Sequence, residues 1–274
     1  MKPISQLPSN NGGPNFNKTT FSASHSYRAQ MQFPVDQVSG QIGFTGFLTN
    51  KLLTALPGHD FARLLPYTEP MQLFSGQELR KLDEPIEFVY FPETAVLSHV
   101  FFLEDGSSTG AALVGNDGLV GLCAILAGQP PSYWTHVIIG GSALRVRASV
   151  IKQEFARGDT MQKLLLNYTN KRLTQLSLRA VCNGRHWLGQ RLCTWLLMVR
   201  DRTTEEYLPL THEQIASELG ARRAGVTSAC STLKDSGIIR YRRGRIRILD
   251  RRKLEEVACE CYRTLRQAEN EAVL

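Results

Sequence analysis

The stretch from Leu210 to Leu249, LTHEQIASELGARRAGVTSACSTLKDSGIIRYRRGRIRIL, restricts the possible fold more than any other part of the chain. Thr211 is followed three residues later by Gln214, the spacing of a capping box, in which two side chains satisfy free backbone N–H groups at a helix start. Three apolar residues then share one helical face: Ile215, Ala216 and Leu219. Gly220 can leave helical geometry at little cost, so we expect a short helix that ends there.

A second helix and a basic hairpin are predicted after Gly220. The helix from Arg222 carries apolar residues at spacings of four and three, Val226, Cys230 and Leu233, and should end at Ser236-Gly237. Two strands with a turn of Arg242, Arg243 and Gly244 follow: Ile238 to Tyr241 and Arg245 to Leu249. This order of elements predicts a helix-turn-helix followed by a wing.

Positive charge is concentrated in this same region. Between Gly220 and Lys253 there are eleven basic residues and two acidic ones, a net charge of +9, whereas the whole chain carries +7. The rest of the chain is therefore acidic on balance. A local basic excess on a groove-reading shape indicates a nucleic-acid face, although a solvated basic surface is the alternative reading.

Length and composition are those of an ordinary globular protein. The 274 residues suffice for two domains, and 42% of them are hydrophobic and 21% charged. No apolar run approaches the roughly 18 residues of a membrane span. The N-terminus lacks a continuous hydrophobic segment of the kind that directs secretion, so we expect a cytoplasmic protein that does not contact the membrane.

The six cysteines do not predict a metal site. Cys259 and Cys261 form a C-x-C pair, but residues two apart in a helix point about 200° from each other, so one metal could not easily use both. Cys182 and His186 could share a helix face, yet two ligands do not complete a zinc site. We therefore expect inert thiols and no metal.

The order of sequence patterns predicts an α+β protein with four parts. Residues 1–45 are rich in Ser, Asn, Gln, Gly and Pro and should form a flexible extension. Residues 46–158 begin with two short helices and continue as many short strands with turn signals between them, which favours an antiparallel β barrel or jelly roll. The predicted strands lie near Leu73 and at Ile86 to Phe91, Ala95 to Leu103, Thr109 to Val114, His136 to Ile139 and Ala143 to Val146.

A long helix is predicted over residues 159–184, with Gly184 as its break. Its seam alternates steps of three and four through Leu166, Thr169, Leu173, Leu176, Ala180 and Asn183. Such a seam fits either a dimer of two packed helices or ordinary core packing. Residues 185–274 then comprise a helix from Trp187 to Arg200, the helix-turn-helix with its wing, and a terminal helix from Arg252 to about Ala268.

With these elements placed, the chain resembles the Crp/Fnr family of bacterial transcription regulators. The resemblance covers Asn50 to Tyr262 and is most specific from Leu210 to Asp250. The segments CNGRHWLGQRLCTWLL and CECY look like one subgroup of that family. The resemblance implies a β domain of the cyclic-nucleotide-binding type and a homodimer joined through the long helix. It further implies that the partners are double-stranded DNA and RNA polymerase.

The resemblance also implies which residues contact DNA. In the family the second helix enters the major groove, and a base-reading motif of Arg, an acidic residue and a further Arg aligns here with Arg223, Ala224 and Ser228. Only Arg223 is kept, so the best-known target sequence of the family does not carry over. The candidate DNA contacts are Thr211, Arg222, Arg223, Thr227 and Ser228, with Arg242, Arg243 and Arg245 of the wing suited to phosphates.

The effector segment departs from the family pattern of cyclic-nucleotide binders. Leu122 stands where a ribose-binding Glu is expected, and Pro130 to Ser132 where an Arg should neutralise the phosphate. A buried phosphate without such a partner would be costly, so we expect neither cyclic AMP nor cyclic GMP. The N-terminal cysteine cluster of iron–sulfur members is also missing, so no cofactor is predicted. A candidate pocket for another effector comprises Gly121, Leu122, Ser132 and Tyr133.

Two segments resemble enzyme motifs, but neither has the structural context or the residues that its motif requires. Gly106 to Gly110 matches G-x-S-x-G but runs into a strand rather than a helix, so a nucleophile elbow is not predicted. His212-Glu213 begins an H-E-x-x-H pattern that fails at Ala216. Two alternatives to a DNA-binding regulator stay open at this point. One is a ligand-sensing module whose winged helix docks on protein, and the other is an enzyme or its regulatory subunit.

Overall fold

The computed structural model describes residues 48–80 and 84–271. The described residues form one compact unit, while the predicted extension over residues 1–45 lies outside them. No helix in the described residues is long and apolar enough to cross a membrane. The α+β class with an antiparallel β domain is confirmed.

Two short helices open the β domain: α1, Lys51–Thr54, and α2, Gly58–Leu64. Asn50 caps α1 by accepting from the backbone N–H groups of Leu52 and Leu53. The buried amide of Asn50 also donates to the carbonyls of Pro92 and Gly118, each at 2.9 Å. One side chain therefore starts the helix and ties it to the end of β3 and to the loop after β5.

Seven strands form two antiparallel sheets. They are β1, Thr68–Leu73; β2, Glu78–Arg80; β3, Phe88–Pro92; β4, Val96–Phe102; β5, Ser108–Val114; β6, Trp134–Ile139; and β7, Gly141–Arg147. The first sheet has the order β1-β7-β3 and the second β2-β6-β4-β5. The sequence patterns anticipated most of these strands, but not β2, which is too short to show an alternation. The two sheets have the layered form of a jelly roll.

Three helices follow or interrupt the strands: α3, Leu122–Leu126; α4, Ala148–Ala156; and α5, Thr160–Arg185. The predicted break at Gly184 is wrong, because α5 continues through it and ends at Arg185. At 26 residues, α5 is about 39 Å long. Its first turns bury Met161, Leu165 and Tyr168 in the core of the β domain.

The C-terminal domain contains five helices and one hairpin. They are α6, Leu188–Arg200; α7, His212–Leu219; α8, Arg223–Asp235; β8, Ile239–Arg242; β9, Arg245–Ile248; α9, Arg251–Val257; and α10, Glu260–Glu271. Its core centres on Trp195 and Leu196 of α6, packed against Ile215, Val226 and Ile246. The prediction of one terminal helix is wrong, because the chain leaves helical geometry at Ala258 and Cys259 before α10 begins.

A buried ion pair joins the two domains. Arg202, just beyond α6, donates to Asp117 in the loop after β5 at 2.6 Å, and its side chain is only 3% exposed. Asp117 Oδ1 also accepts from the backbone N–H of Gly115. Burial alone would raise the pKa of Asp117, but the positive charges of Arg202 and Arg172 outweigh it and lower the pKa below its usual value.

We predict that Asp117→Asn lowers the free energy of unfolding by about 3–5 kcal/mol at pH 7, because the variant removes the carboxylate charge that lies against the buried Arg202 guanidinium. A carboxylate with a lowered folded-state pKa stabilises the protein above about pH 4, and that stability is lost as the pH falls further. The difference in free energy of unfolding between wild type and variant should therefore become smaller below about pH 4. Denaturant unfolding at several pH values measures it, and the exposed change Asp235→Asn is the control. A gap that stays constant with pH would contradict the assignment.

Candidate nucleic-acid interface

The start and end of α7 are fixed by the residues that the sequence indicated. Thr211 Oγ1 accepts from the backbone N–H of Gln214, and the Gln214 side chain accepts from the backbone N–H of Thr211 at 2.8 Å. Gly220 ends the helix in the left-handed conformation with φ of 55°. The turn to α8 is thereby set by two local signals, a capping box and a glycine.

The face of α8 that points away from the core is exposed along its first two turns. Arg222 caps the helix with extended backbone geometry, and Arg223, Ala224, Thr227 and Ser228 are all exposed. The apolar face opposite is buried through Val226, Cys230 and Leu233. Arg223 is 71% exposed, and its Nε lies 3.7 Å from the carboxylate of Glu213, a pairing that solvent weakens. The structure thus brings the candidate reader residues to one accessible surface.

The wing separates its side chains by face. In the register of β8 and β9, Ile239 pairs with Ile248 and Tyr241 with Ile246, whereas Arg240 pairs with Arg247 and Arg242 with Arg245. Ile239 and Ile246 are buried, so alternation along the strands places all four arginines on the other face. Like charges directly across a strand pair are destabilising. Arg240, Arg242 and Arg245 are exposed on this face, while Arg247 pairs with Glu206.

The predicted three-residue turn of the wing is wrong in one position. Arg242 belongs to β8, and the turn consists of Arg243 and Gly244, with φ of 48° and 72°. Two consecutive residues with positive φ are the geometry of a two-residue hairpin turn of the primed type. A side chain at Gly244 would come within 3.4 Å of Thr211. The tip of the wing and the start of α7 are therefore neighbours on one surface.

His212 links the three parts of this surface, and the sequence patterns did not single it out as a binding residue. Its ring stacks on Tyr241 of the wing at 4.2 Å, and its Nδ1 lies 3.0 Å from Thr227 Oγ1 of α8. Burial and the nearby charge of Arg223 lower the pKa of His212, which favours the neutral ring. His212 positions the reader helix relative to the wing. Only the register of the folded hairpin reveals this role.

The helix-turn-helix packs on the β domain through α7. Glu218 of α7 is buried and accepts from Ser98 Oγ of β4 at 2.8 Å, while His136 of β6 lies 3.4 Å from its other carboxylate oxygen. Arg179 of α5 donates to the backbone carbonyls of both Glu218 and Gly110. No sequence pattern predicts this contact, because its members are about 40 to 120 residues apart.

The candidate effector residues occupy different surroundings. Gly121 adopts φ of 105° and lies so close to β3 that a side chain would come within 3.2 Å of the Phe88 carbonyl. Leu122 packs against the β-domain core, and Ser132 is exposed. Tyr133 packs its ring on His99 at 4.3 Å, and burial raises the pKa of its hydroxyl.

A cavity of about 30 Å³ lies elsewhere, between β5, α5, α6 and α10. None of the four candidate effector residues lines it. Its volume suits a water molecule rather than a nucleotide.

One group of side chains has the composition of a metal-ligand set. The ligand atoms of Cys182, His186, Cys259 and Cys261 all lie within 4.8 Å of one another. The prediction that Cys259 and Cys261 point apart is wrong, because Cys259 precedes α10 and only Cys261 lies in it. The helical angle used for that prediction does not apply across a helix start.

Comparisons with known proteins agree with this geometry. Residues 190–257 match the family model of the Crp-like helix-turn-helix domain, which spans α6 to α9. The chain therefore contains a Crp-like helix-turn-helix domain. A global nitrogen regulator from a Nostoc species is 23% identical over 177 residues, which cover 60% of this chain and 78% of that protein.

Two solved structures show the same fold. FixK2 from Bradyrhizobium japonicum has a TM-score of 0.60 at 23% identity, covering 70% of this chain and 98% of that one. A Crp/Fnr-family transcriptional regulator from Thermus thermophilus has a TM-score of 0.57 at 22% identity, covering 69% and 98%. The likeness therefore extends beyond the helix-turn-helix to the β domain and the long helix.

We predict different effects for reader and wing arginines. Arg223→Ala should cost about 1–3 kcal/mol on the preferred DNA and reduce the discrimination between bases, because a guanidinium can bind guanine O6 and N7 together. Arg243→Asn keeps a residue that tolerates positive φ but removes a charge. It should weaken binding to all sequences alike and lower the slope of log affinity against log salt by about 0.9.

Fluorescence anisotropy with matched and scrambled duplexes at several salt concentrations measures both effects. Lys152→Ala on α4, an exposed charge change outside this surface, is the control. Equal loss of specificity in the Arg223 and Arg243 variants would refute the division of roles.

Proposed function

We propose that the protein is a homodimeric regulator that binds an inverted-repeat DNA site through α8 and its wing. The observation that supports this proposal is the continuous exposed surface formed by Arg223, Thr227 and the wing arginines. His212 holds this surface in register through its contacts with Thr227 and Tyr241. Arginines of this kind position a protein on phosphates, while the residues at the start of α8 reach base edges. RNA polymerase is the partner through which such a regulator would act.

The proposed dimer contact is a stripe on α5. Leu166, Leu173 and Leu176 are 50%, 59% and 41% exposed, and Ala180 and Asn183 continue the same stripe at the surface. The opposite face of α5 contacts the protein's own domains through Tyr168, Arg172 and Arg179. Exposed leucines at spacings of seven and three support packing against a second copy rather than core packing within the chain.

The effector is proposed to be a small molecule other than a cyclic nucleotide. Leu122 packs against the core where a ribose-binding carboxylate would be needed, and the segment Pro130 to Ser132 carries no positive charge for a phosphate. The candidate pocket remains Gly121, Leu122, Ser132 and Tyr133. A ligand there could reach the reader helix through β4 and β6, since Ser98 and His136 contact Glu218 of α7.

A two-fold dimer makes a geometric prediction about its operator. The two half-sites should lie about 34 Å, one helical turn of DNA, apart, and each should be the inverted copy of the other. Sequence selection with the full-length protein should yield such a site. Insertion of about five base pairs between the half-sites should abolish two-site binding, because it turns one half-site to the opposite side of the duplex. Selection without any sequence preference, or a complex insensitive to salt, would instead favour a winged helix that docks on protein.

We predict that Leu173→Glu converts the dimer to monomers at micromolar concentration, since it would oppose two carboxylates in an apolar seam. Asn167→Glu introduces the same charge at an exposed position on another face of α5 and should leave the dimer intact. Light scattering coupled to size-exclusion chromatography distinguishes the two. A Leu173→Glu protein that remains dimeric would refute the stripe as the contact.

A further inference from the structure

We propose that Cys182, His186, Cys259 and Cys261 bind one structural Zn²⁺ ion. The four ligand atoms lie within 4.8 Å of one another, and three of the residues are buried. Three thiolates and one imidazole are a recurrent ligand set of structural zinc. This site is separate from the DNA-binding surface and from the candidate effector residues.

The separations of the ligand atoms agree with a tetrahedron. With ordinary zinc bond lengths, tetrahedral geometry places two sulfurs about 3.8 Å apart and a sulfur and a nitrogen about 3.5 Å apart. The sulfurs of Cys182 and Cys259 are 3.5 Å apart, and Cys261 Sγ lies 3.7 Å from His186 Nδ1. The ligand set is therefore already gathered to the size of a single ion.

The fold brings these ligands from two distant parts of the chain. Cys182 lies in the last turn of α5, and His186 is the residue directly after that helix. Cys259 lies in the break between α9 and α10, and Cys261 in the first turn of α10. Because the chain is not helical between α9 and α10, Cys259 and Cys261, which are separated by one residue, can approach the same point.

Surrounding polar groups orient the ligands as they do in known metal sites. His186 Nε2, the nitrogen not directed at Cys261, lies 3.3 Å from a carboxylate oxygen of Glu260. A carboxylate on the outer nitrogen fixes the imidazole tautomer that leaves Nδ1 free to bind a metal. Thr194 Oγ1 lies 3.1 Å from Cys259 Sγ, where its hydroxyl can donate to a thiolate.

The geometry favours binding of a single zinc ion over two alternatives for these thiols, a four-iron cluster and a disulfide. In a four-iron cluster each ligand binds a different iron atom, which spreads the ligands more widely than they lie here. A disulfide between Cys182 and Cys259 would use two of the four residues and leave the Cys261–His186–Glu260 arrangement without a role. Zn²⁺ uses all four. On binding, the three thiols lose their protons to solvent, and no electron transfer takes place.

The ion would clamp the long helix to the C-terminal end of the DNA-binding domain. Two ligands belong to the end of α5 and two to the segment that begins α10. Since α5 also carries the proposed dimer contact, the clamp would hold the helix-turn-helix at a fixed position relative to the two-fold axis. This consequence rests on the proposed dimer, whereas the zinc site itself does not.

The test is elemental analysis of tag-free, full-length protein produced with zinc and purified without chelators. We expect about one zinc per chain, and loss of most of it in Cys259→Ser and in Cys261→Ser. Cys123→Ser, a half-buried thiol on α3 outside the cluster, should keep the wild-type content. Retention of zinc in Cys261→Ser would overturn the ligand assignment.

Two further measurements do not depend on the stability of the cysteine variants. Wild-type protein refilled with Co²⁺ should show the visible bands of a tetrahedral ion and thiolate charge-transfer absorption in the near ultraviolet. Glu260→Gln, which changes only the partner of His186, should lower metal affinity by about 10–100-fold in a chelator competition. An octahedral cobalt spectrum, or unchanged affinity in Glu260→Gln together with full zinc in the ligand variants, would overturn the site.

Two results in the wild-type protein would each refute the proposal outright. One is a metal-free protein in which all six thiols react after unfolding without reductant. The other is protein that contains iron with acid-labile sulfide in place of zinc.

Discussion

Helix α5 has one face packed within the chain and another exposed to solvent, and the rest of the structure depends on this arrangement. One face is held within the chain, by Tyr168 in the β-domain core and by Arg179, which donates to backbone carbonyls of both domains. The other face keeps Leu166, Leu173 and Leu176 exposed. Apolar surface of this extent is costly in water, which is why this face is the contact of the proposed dimer.

Polar contacts, rather than a shared apolar core alone, connect the β domain and the C-terminal domain. Buried Arg202 is paired with Asp117, and buried Glu218 with Ser98 and His136. Such contacts require correct geometry, since a small displacement weakens the pairing of a buried charge. An interface of this kind has discrete arrangements, and a change in the β domain that moves Ser98 or His136 would be transmitted to α7.

The proposed DNA-binding surface, in contrast, contains features that lower the stability of the fold. Four wing arginines face each other in two cross-strand pairs, and Arg243 adopts a left-handed conformation that a non-glycine residue enters reluctantly. These features lower the local stability of the hairpin and place positive charge at its turn. The buried isoleucines beneath and the stacking of His212 on Tyr241 hold that turn in place.

Local signals in the sequence determined the helix-turn-helix, its capping box, its glycine turn, the basic wing and most strands, because each depends on residues close together in the chain. Contacts between distant residues were decided only by tertiary structure. Periodicity could not show that Glu218 reaches Ser98, or that the terminal helix breaks at Cys259. The cysteine and histidine cluster shows the reason most clearly. Its members fail as metal ligands when judged by helical spacing, yet they meet because α5 and α10 pack together.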